Sequence, residues 1–315
     1  MSKNRSPWRN RFEFALFRLA RLLVGVLSPV ASARFGGFVG SVFYLVSRRR
    51  RRIIDFNLGL AFPDLTTDER RHLAREVSRH FGRVALDAIR LQRLTPDELR
   101  AEVTVEGEAN LRRVVDTGGG FFLLSAHLGS WEAAALMGGL LIPGGMAVIH
   151  RPLDNPLLDA ELEHLRATFG NRALGKSNIS REVLQAIKEG GAIGILIDQR
   201  PRDVDFEVPF FGHPAKTHPV LARFVRRTGA PVVPIFGYWD APARYTVVFG
   251  EPVMPTELTA DELDDGPLTE RFMRITEDAI RRRPEQWLWY HDRWRQLREE
   301  RENRQDAKIA KTDDR

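Results

Sequence analysis

The stretch FFLLSAHLGSWE, residues 121–132, decides the fold. Its first six residues form an apolar run of strand length that ends directly before His127. A short turn follows, and four residues separate His127 from Glu132. Because α/β sheets carry their ligands outside the carboxyl ends of the strands, His127 is predicted to face a site.

Similar short runs of apolar and β-branched residues follow at 146–151, 192–198, 232–238 and 245–249, most of them bounded by Gly or Pro. Helical patterns lie between them at 157–169, 181–189 and 219–228. Strands that alternate with helices indicate an α/β fold. The chain is therefore predicted to form a central mixed β-sheet flanked by helices.

The chain on either side of this sheet is predicted to be helical or disordered. Thr66 with Glu69 and Thr95 with Glu98 fit capping boxes, so residues 53–100 are predicted to be helical. A third box at residues 259–262 precedes a helical pattern at 267–283. Residues 298–315 carry many charges and few apolar side chains, which favours disorder.

The N-terminal region is apolar but differs from an ordinary membrane span. Residues 12–30 are interrupted by Glu13, Arg18 and Arg21, which leaves uncharged stretches at 22–33 and 35–47. Five consecutive arginines, residues 48–52, follow directly. Apolar helices beside a basic cluster are typical of a membrane-associated segment. The alternative is a buried helical hairpin with a solvated basic end.

These features divide the chain into three parts. Residues 1–52 are predicted to form an N-terminal membrane-associated helical segment, residues 53–297 an α/β domain, and residues 298–315 a disordered charged tail. The formal charge of +6 suits a surface that meets anionic lipid, nucleic acid or an acidic carrier protein. The absence of cysteine excludes disulfides and a thiol nucleophile, and the scattered histidines give no metal site.

The spacing of His127 and Glu132 favours general-base catalysis. A carboxylate brought back to the imidazole by the turn would fix its tautomer and raise its basicity. The alternative is that both residues only cap a helix. Two other predicted strands also end in polar residues, Arg151 and Asp198 with Gln199, so the three strand ends are predicted to meet at one edge.

Three other functions fit the sequence less well. Residues 170–177 match the P-loop pattern, but a charged amphipathic helix precedes them where a P-loop needs a strand. A serine hydrolase elbow, Gly-x-Ser-x-Gly, does not occur. The aromatic residues Trp287, Trp289 and Trp294 could stack on nucleic acid. Packing of an amphipathic C-terminal helix on the core or on lipid is the preferred interpretation.

With these motifs the chain resembles the bacterial lauroyl/myristoyl acyltransferases of lipid A biosynthesis and their relatives that acylate mannosylated phosphatidylinositol. These families belong to the lysophospholipid acyltransferase superfamily. The resemblance spans almost the whole chain. The matching residues are Asn57-Leu58, Phe62-Pro63, Ser125-Ala126-His127, Trp131-Glu132, Arg151-Pro152, Asn155-Pro156-Leu157, Arg166, Gly170, Asp198-Gln199, Pro209-Phe210-Phe211-Gly212, Pro214-Ala215, Thr217, Pro284-Glu285-Gln286-Trp287, His291 and Arg293. Glycerol-phosphate acyltransferases share the histidine and the acid that four residues separate from it, which are His127 and Glu132 here. They usually have Asp as that acid, and Pro-Glu-Gly where this chain has Asp198-Gln199-Arg200.

The resemblance implies an O-acyltransferase that moves a fatty acyl group from acyl carrier protein or acyl-CoA to a hydroxyl of a glycolipid of the lipid A precursor type. It implies His127 and Glu132 as the catalytic pair and no cofactor beyond the acyl thioester co-substrate. It also implies a location at the cytoplasmic face of the inner membrane, peripheral or single-pass, with a membrane lipid as acceptor and no nucleic-acid partner.

The same resemblance suggests the substrate-binding residues Arg151, Arg166, Asp198 and Gln199. A salt bridge between helices is the alternative for Arg166. The backbone N–H groups around residues 128–130 are expected to stabilise the oxyanion. Residues 210–211 could line an acyl cleft or pack in the core. A different lipid acceptor, such as mannosylated phosphatidylinositol or a lysophospholipid, and a non-catalytic lipid-binding protein stay open as alternatives.

Overall fold

The computed structural model describes residues 6–149, 153–174 and 179–313. Its helices are α1 (Pro7–Val26), α2 (Pro29–Val46), α3 (Arg48–Ala61), α4 (Thr67–Leu91), α5 (Pro96–Glu102), α6 (Glu108–Val115), α7 (Trp131–Leu141), α8 (Pro156–Thr168), α9 (Ile179–Lys188), α10 (Val220–Thr228), α11 (Asp265–Arg282) and α12 (Arg295–Asp313). Its strands are β1 (Val103–Glu106), β2 (Phe121–Ser125), β3 (Met146–Val148), β4 (Arg172–Ala173), β5 (Ala192–Leu196), β6 (Glu207–Phe210), β7 (His213–Lys216), β8 (Val232–Ala241) and β9 (Arg244–Phe249).

Seven strands form one mixed sheet in the order β1-β9-β8-β2-β5-β3-β4. Only the neighbours β8 and β9 run antiparallel among these strand pairs. Strands β6 and β7 form a separate antiparallel hairpin. Helices connect the parallel strands and cover the sheet, so the predicted α/β fold with a central mixed sheet is confirmed.

The two central strands, β2 and β5, position the site. Every residue of β2 is buried, as expected for a parallel strand with both faces covered. The strands pair in register, with Ser125 of β2 opposite Leu196 of β5. Residues two positions beyond each strand end, His127 and Asp198, therefore emerge side by side at the carboxyl edge.

The N-terminal helices pack on the α/β domain, and close contact between glycines fixes their position. A Cβ atom at Gly40 would lie 2.0 Å from the Ser78 carbonyl oxygen, and one at Gly82 would lie 2.0 Å from the Gly36 carbonyl oxygen. The backbones of α2 and α4 therefore touch. The domain boundary predicted after residue 52 falls inside α3.

Helix α2 keeps an apolar outer face although α4 covers its glycines. Phe38, Leu45 and Val46 are each more than 60% exposed. Among the described helices, α2 has the length and composition to cross a membrane, with a mean hydropathy of 1.2. Helix α1 does not meet that criterion within the same residues, and its Arg21 forms an ion pair with Glu161 of α8. Large apolar surfaces of this kind mark contact sites rather than ordinary solvent-exposed faces.

Three local expectations have different outcomes. The capping boxes at Thr66 and Thr95 are formed and begin α4 and α5. The bonds of the third box, between Thr259 and Glu262, are also made, but they close a turn, and α11 begins at Asp265. Residues 295–313 form helix α12 instead of the predicted disordered tail.

Helix α12 forms because its charges are spaced to pair along one helix. Arg295 pairs with Glu299 and Arg298 with Glu302, both at i,i+4 spacing. Leu297 also packs against the main core. Local pairing and one apolar contact thus stabilise a segment whose average composition indicates disorder.

The C-terminal tryptophans belong to the core. Trp287, Trp289 and Trp294 are each 0% exposed. They pack against Phe210 and Phe211 at ring-centroid distances of 5.5–6.3 Å, and Trp287 packs against Trp289 and Trp294 at 4.6 and 6.4 Å. These rings are unavailable for stacking on nucleic acid, and of the two alternatives for residues 210–211 the structure shows core packing. The segment itself is a 3-10 turn at Pro284–Gln286 and a loop, not the amphipathic helix expected.

Candidate active site

His127 and Asp198 form a hydrogen-bonded pair at the carboxyl edge of the sheet. The imidazole Nδ1 lies 2.9 Å from Asp198 Oδ1, and the backbone N–H of His127 donates to Asp198 Oδ2 over 2.9 Å. The indole Nε1–H of Trp287 also donates to Oδ2, at 2.9 Å. Because an ionised carboxylate only accepts hydrogen bonds, Nδ1 carries a proton and Nε2 is the basic nitrogen.

The pair changes the pKa of both groups. Burial alone would raise the pKa of Asp198, but the charge and hydrogen bonds of His127 and the indole N–H lower it to about 2. Burial likewise would lower the pKa of His127, but the charge and hydrogen bond of Asp198, with a smaller contribution from the charge of Glu132, raise it above its ordinary value. His127 is therefore a stronger base than a free imidazole.

Glu132 lies beside His127 but is bound elsewhere. It occupies the first turn of α7, and its Oε1 lies 3.5 Å from Nη2 of Arg166 on α8. The sequence predicts that Glu132 makes the hydrogen bond that orients the imidazole. In the structure that bond comes from Asp198, because the in-register neighbouring strand brings its carboxylate closer than the first turn of α7 does.

The Glu132–Arg166 pair is incompletely bonded. Oε2 of Glu132 and both Nε and Nη1 of Arg166 are buried without a hydrogen-bond partner among the described residues. Arg166 is only 8% exposed. Unpaired buried donors on a cation are costly and often mark a group that bonds to a ligand. The predicted alternative, a salt bridge between helices, is thus present but leaves two nitrogens of the guanidinium free.

The backbone N–H groups after His127 cannot form the expected oxyanion hole. Those of Leu128, Gly129 and Ser130 donate to the carbonyl oxygens of Ala126, Gln286 and Gly237. Gly129 has a φ of +57°, and a Cβ atom there would lie 2.1 Å from the Gly237 carbonyl oxygen. The loop is therefore held against the middle of β8, and its N–H groups are used in backbone hydrogen bonds.

Two further side chains contact the imidazole. The Gln199 amide nitrogen lies 3.2 Å from Nε2 of His127, so the predicted substrate residue is part of the site. The ring of Trp131 packs edge-on against the imidazole with centroids 5.4 Å apart. Trp131 and Trp287 are site residues that were not predicted from the sequence. Trp131 could have been found from its place between His127 and Glu132, whereas Trp287 lies 89 residues from its partner Asp198.

A cavity of about 410 Å³ opens at His127 and is called the catalytic cavity below. Its lining includes the five polar residues Ser125, His127, Glu132, Arg166 and Gln199. The rest is mainly apolar and comes mostly from β2, β3, β5, β8, α7 and α8, with Leu123, Met146, Val148, Leu162, Leu196 and Ile235 among them. An apolar cavity with a few convergent polar groups is typical of a site for a small molecule or an acyl chain.

Arg151, predicted to bind substrate, lies outside the described residues, as do Lys176 and Ser177 of the P-loop pattern. The residues before that pattern form α8, so the strand a P-loop requires is not there. Among the side chains described within residues 6–149, 153–174 and 179–304, no group of three or more His, Asp or Glu could hold a metal ion.

Comparison with known proteins gives one family. Residues 11–296 match the family described as bacterial lipid A biosynthesis acyltransferase. The lipid A biosynthesis lauroyltransferase of Escherichia coli (strain K12) is 28% identical over 273 residues, which cover 83% of this chain and 84% of that protein. The palmitoleoyltransferase of the same organism is 28% identical over 290 residues, 90% of this chain and 92% of that protein.

Two more distant likenesses complete the comparison. The lipid A biosynthesis myristoyltransferase of Escherichia coli (strain K12) is 26% identical over 261 residues, 82% of this chain and 77% of that protein. The crystal structure of the 1-acyl-sn-glycerophosphate acyltransferase from Thermotoga maritima covers 88% of this chain and 99% of its own, with 14% identity and a TM-score of 0.39. At that TM-score, the structural likeness carries no argument.

Proposed function

Because the chain belongs to the bacterial lipid A biosynthesis acyltransferase family and is an acyltransferase acting on lipid, we propose that it moves a fatty acyl group from acyl carrier protein or acyl-CoA to a hydroxyl of a glycolipid of the lipid A precursor type. The observation that carries this proposal is that His127, made more basic by Asp198, lines a largely apolar cavity.

His127 is the general base of the proposed reaction. Its Nε2 takes the proton of the acceptor hydroxyl while that oxygen attacks the thioester carbonyl. The tetrahedral intermediate collapses as the carbon–sulfur bond breaks, and the thiolate leaves with the proton that His127 holds. The new ester and the free thiol of the carrier are the products. No acyl-enzyme is required, since the acceptor attacks directly.

Asp198 and Glu132 have different roles in this mechanism. Asp198 fixes the Nδ1–H tautomer and stabilises the imidazolium that forms when His127 takes the proton. Glu132 adds a negative charge near His127 and holds Arg166 at the cavity. Arg166 has unbonded N–H groups, so it is the proposed donor to the negative oxygen of the tetrahedral intermediate.

The catalytic cavity is proposed to hold the acyl chain of the donor. Its polar groups cluster around His127, where the thioester has to lie, and the remaining lining is suited to methylene groups. The exposed apolar faces of α1 and α2, followed by Arg48–Arg52, support attachment to the cytoplasmic face of the inner membrane, where a lipid acceptor is found.

The test is acyl transfer by the purified full-length protein. Labelled acyl carrier protein and acyl-CoA are offered with lipid A precursors, mannosylated phosphatidylinositol and lysophospholipids. We expect transfer to a lipid A precursor, and we expect His127→Ala to reduce the rate by about 10²–10⁴-fold, the usual contribution of a general base. His164→Ala, an exposed histidine on α8, is the matched control.

Three outcomes would contradict parts of this proposal. Transfer that survives His127→Ala at the wild-type rate would exclude the general-base mechanism. Transfer only to mannosylated phosphatidylinositol or a lysophospholipid would keep the mechanism and change the acceptor. A protein that binds these lipids but transfers to none of them would be a non-catalytic relative.

A further inference from the structure

A second cavity of about 480 Å³ lies between the N-terminal helices, α4 and the C-terminal loop. Its lining is mainly apolar or aromatic and includes Val39 and Phe43 of α2, Phe81 of α4, and Tyr290. This second cavity shares no lining residue with the catalytic cavity.

A row of aromatic contacts joins the second cavity to His127. The Phe81 ring lies 6.2 Å from the ring of Trp131, and Trp131 lies 5.4 Å from the imidazole of His127. Phe81 lines the second cavity, whereas Trp131 lines the catalytic cavity. The contact between Phe81 and Trp131 therefore joins the linings of the two cavities, and His127 packs against Trp131 on the side of the catalytic cavity.

The C-terminal loop provides a second connection between the cavities. His291 lines the second cavity, and its Nε2 accepts a hydrogen bond of 2.8 Å from the backbone N–H of Arg200. The preceding residue, Gln199, lines the catalytic cavity and contacts His127. Burial lowers the pKa of His291 to about 4, so its ring is neutral and does not add charge to the apolar lining.

The mouth of the second cavity combines apolar surface with positive charge. Val39 and Phe43 are about half exposed, and the apolar outer face of α2 continues from them. Arg50 lines the cavity and belongs to the run of five arginines. One N–H group of Arg50 donates to the Tyr290 carbonyl oxygen over 2.9 Å, and a guanidinium has five such donors. A ligand with an acyl chain and a phosphate would match both features.

We propose that the second cavity binds an acyl chain already present on the acceptor lipid, with an anionic group of its headgroup at Arg50. This inference rests on the proposed function, because it assigns the acceptor of that reaction to a site. The catalytic cavity is needed for the chain of the donor. An acceptor that stays in the membrane has to reach His127 from another side, and the second cavity opens beside the apolar face of α2.

Photo-crosslinking tests this site without relying on catalysis. A lipid A precursor with a diazirine in one acyl chain is bound to the full-length protein in phosphatidylcholine vesicles, and the crosslinked peptides are mapped. We expect labelling of residues 39–43, 78–82 and 288–291. Val39→Trp, which fills the second cavity, should reduce that labelling about fivefold or more. Val46→Trp, the same change at a 70% exposed position of α2, should not.

The comparison lipid is phosphatidylcholine with the same diazirine chain. Equal labelling by both lipids would overturn the assignment to the acceptor, because the cavity would then hold any membrane lipid. Labelling spread evenly over the outer faces of α1 and α2, or equal effects of the two tryptophan variants, would overturn the site itself. If the precursor labels the second cavity but the protein transfers no acyl group, the lipid site is supported and the proposed acyltransferase reaction is contradicted.

The charge is tested separately with Arg50→Met. A charge-assisted hydrogen bond contributes enough that labelling by the phosphorylated precursor, or kcat/KM for it, should fall about tenfold. Arg49→Met removes the same charge from an exposed neighbour outside the cavity lining and should have a smaller effect. Arg50→Lys should restore part of the loss. Equal losses in the Arg49 and Arg50 variants would indicate general attraction to anionic membranes and would overturn this part of the proposal.

Discussion

The two acid–base pairs of the site differ in how completely they are bonded. Asp198 is 1% exposed, and its two oxygens accept three hydrogen bonds, two from His127 and one from Trp287. Glu132 and Arg166 touch at 3.5 Å, a longer contact, and three of their polar atoms have no partner among the described residues. The first pair is complete without a ligand, and the second is not.

This difference in hydrogen bonding indicates that Asp198 orients His127, whereas Arg166 is available to bind a ligand. Complete bonding fixes the geometry of His127 before substrate arrives, as a general base requires. Unused donors on Arg166 remain for charge that develops during the reaction. Buried donors of Arg166 that lack hydrogen bonds lower the stability of the folded protein, and a bound ligand would offset that loss.

The Asp198→Asn variant tests the orienting role of Asp198 and is expected to have the largest effect. The amide keeps the shape but removes the charge that stabilises the imidazolium, and it permits the wrong tautomer. We expect kcat to fall by about 10³-fold or more, with a loss of thermal stability as the buried bonds rearrange. Asp205→Asn, at an exposed carboxylate, is the control. A variant within tenfold of wild type would contradict the orienting role.

Arg166→Met tests the second pair. It keeps most of the apolar volume and removes all guanidinium donors. We expect kcat to fall by about 10²-fold, as for loss of an oxyanion donor, while KM for the thioester changes less. Arg172→Met makes the same change at an exposed position of β4. A rise in KM with unchanged kcat would show that Arg166 binds substrate instead of the transition state.

Glu132→Gln should have a smaller effect on kcat than either change above, about tenfold, because the amide can still hold Arg166 while the charge near His127 is lost. Steady-state kinetics beside Glu163→Gln, an exposed glutamate on α8, measures it. If Glu132→Gln were as damaging as His127→Ala, Glu132 rather than Asp198 would be the main partner of the base during the reaction.

The pH profile gives the finest distinction. A general base acts in its neutral form, so kcat/KM should rise with pH through the pKa of His127, which Asp198 raises above its ordinary value. In Asp198→Asn that cause is removed, and the acidic limb of the profile should move to lower pH. In Glu132→Gln the same limb should move less. An acidic limb that stays in place in Asp198→Asn would mean that another group titrates.

Local sequence features predicted much of the fold. The apolar runs before His127 and Asp198 became buried parallel strands, and two capping boxes began the helices expected of them. Predictions failed where average composition was used in place of specific pairs. The charge of residues 298–315 predicts disorder, yet residues 295–313 form α12, in which charged side chains pair at i,i+4 spacing.

The sequence by itself determined which residues stand at the edge of the sheet, because hydrophobic runs and the residues that end them are local properties. Strand ends predict His127, Glu132, Asp198 and Gln199, the family resemblance adds Arg166, and the structure brings these five residues to one site. Only the tertiary structure determines which of these side chains form hydrogen bonds with one another. Asp198 is 71 residues from His127, and it meets the imidazole because β2 and β5 pair in register. Strand register and the bonding of the loop after His127 depend on long-range contacts, which no local pattern specifies.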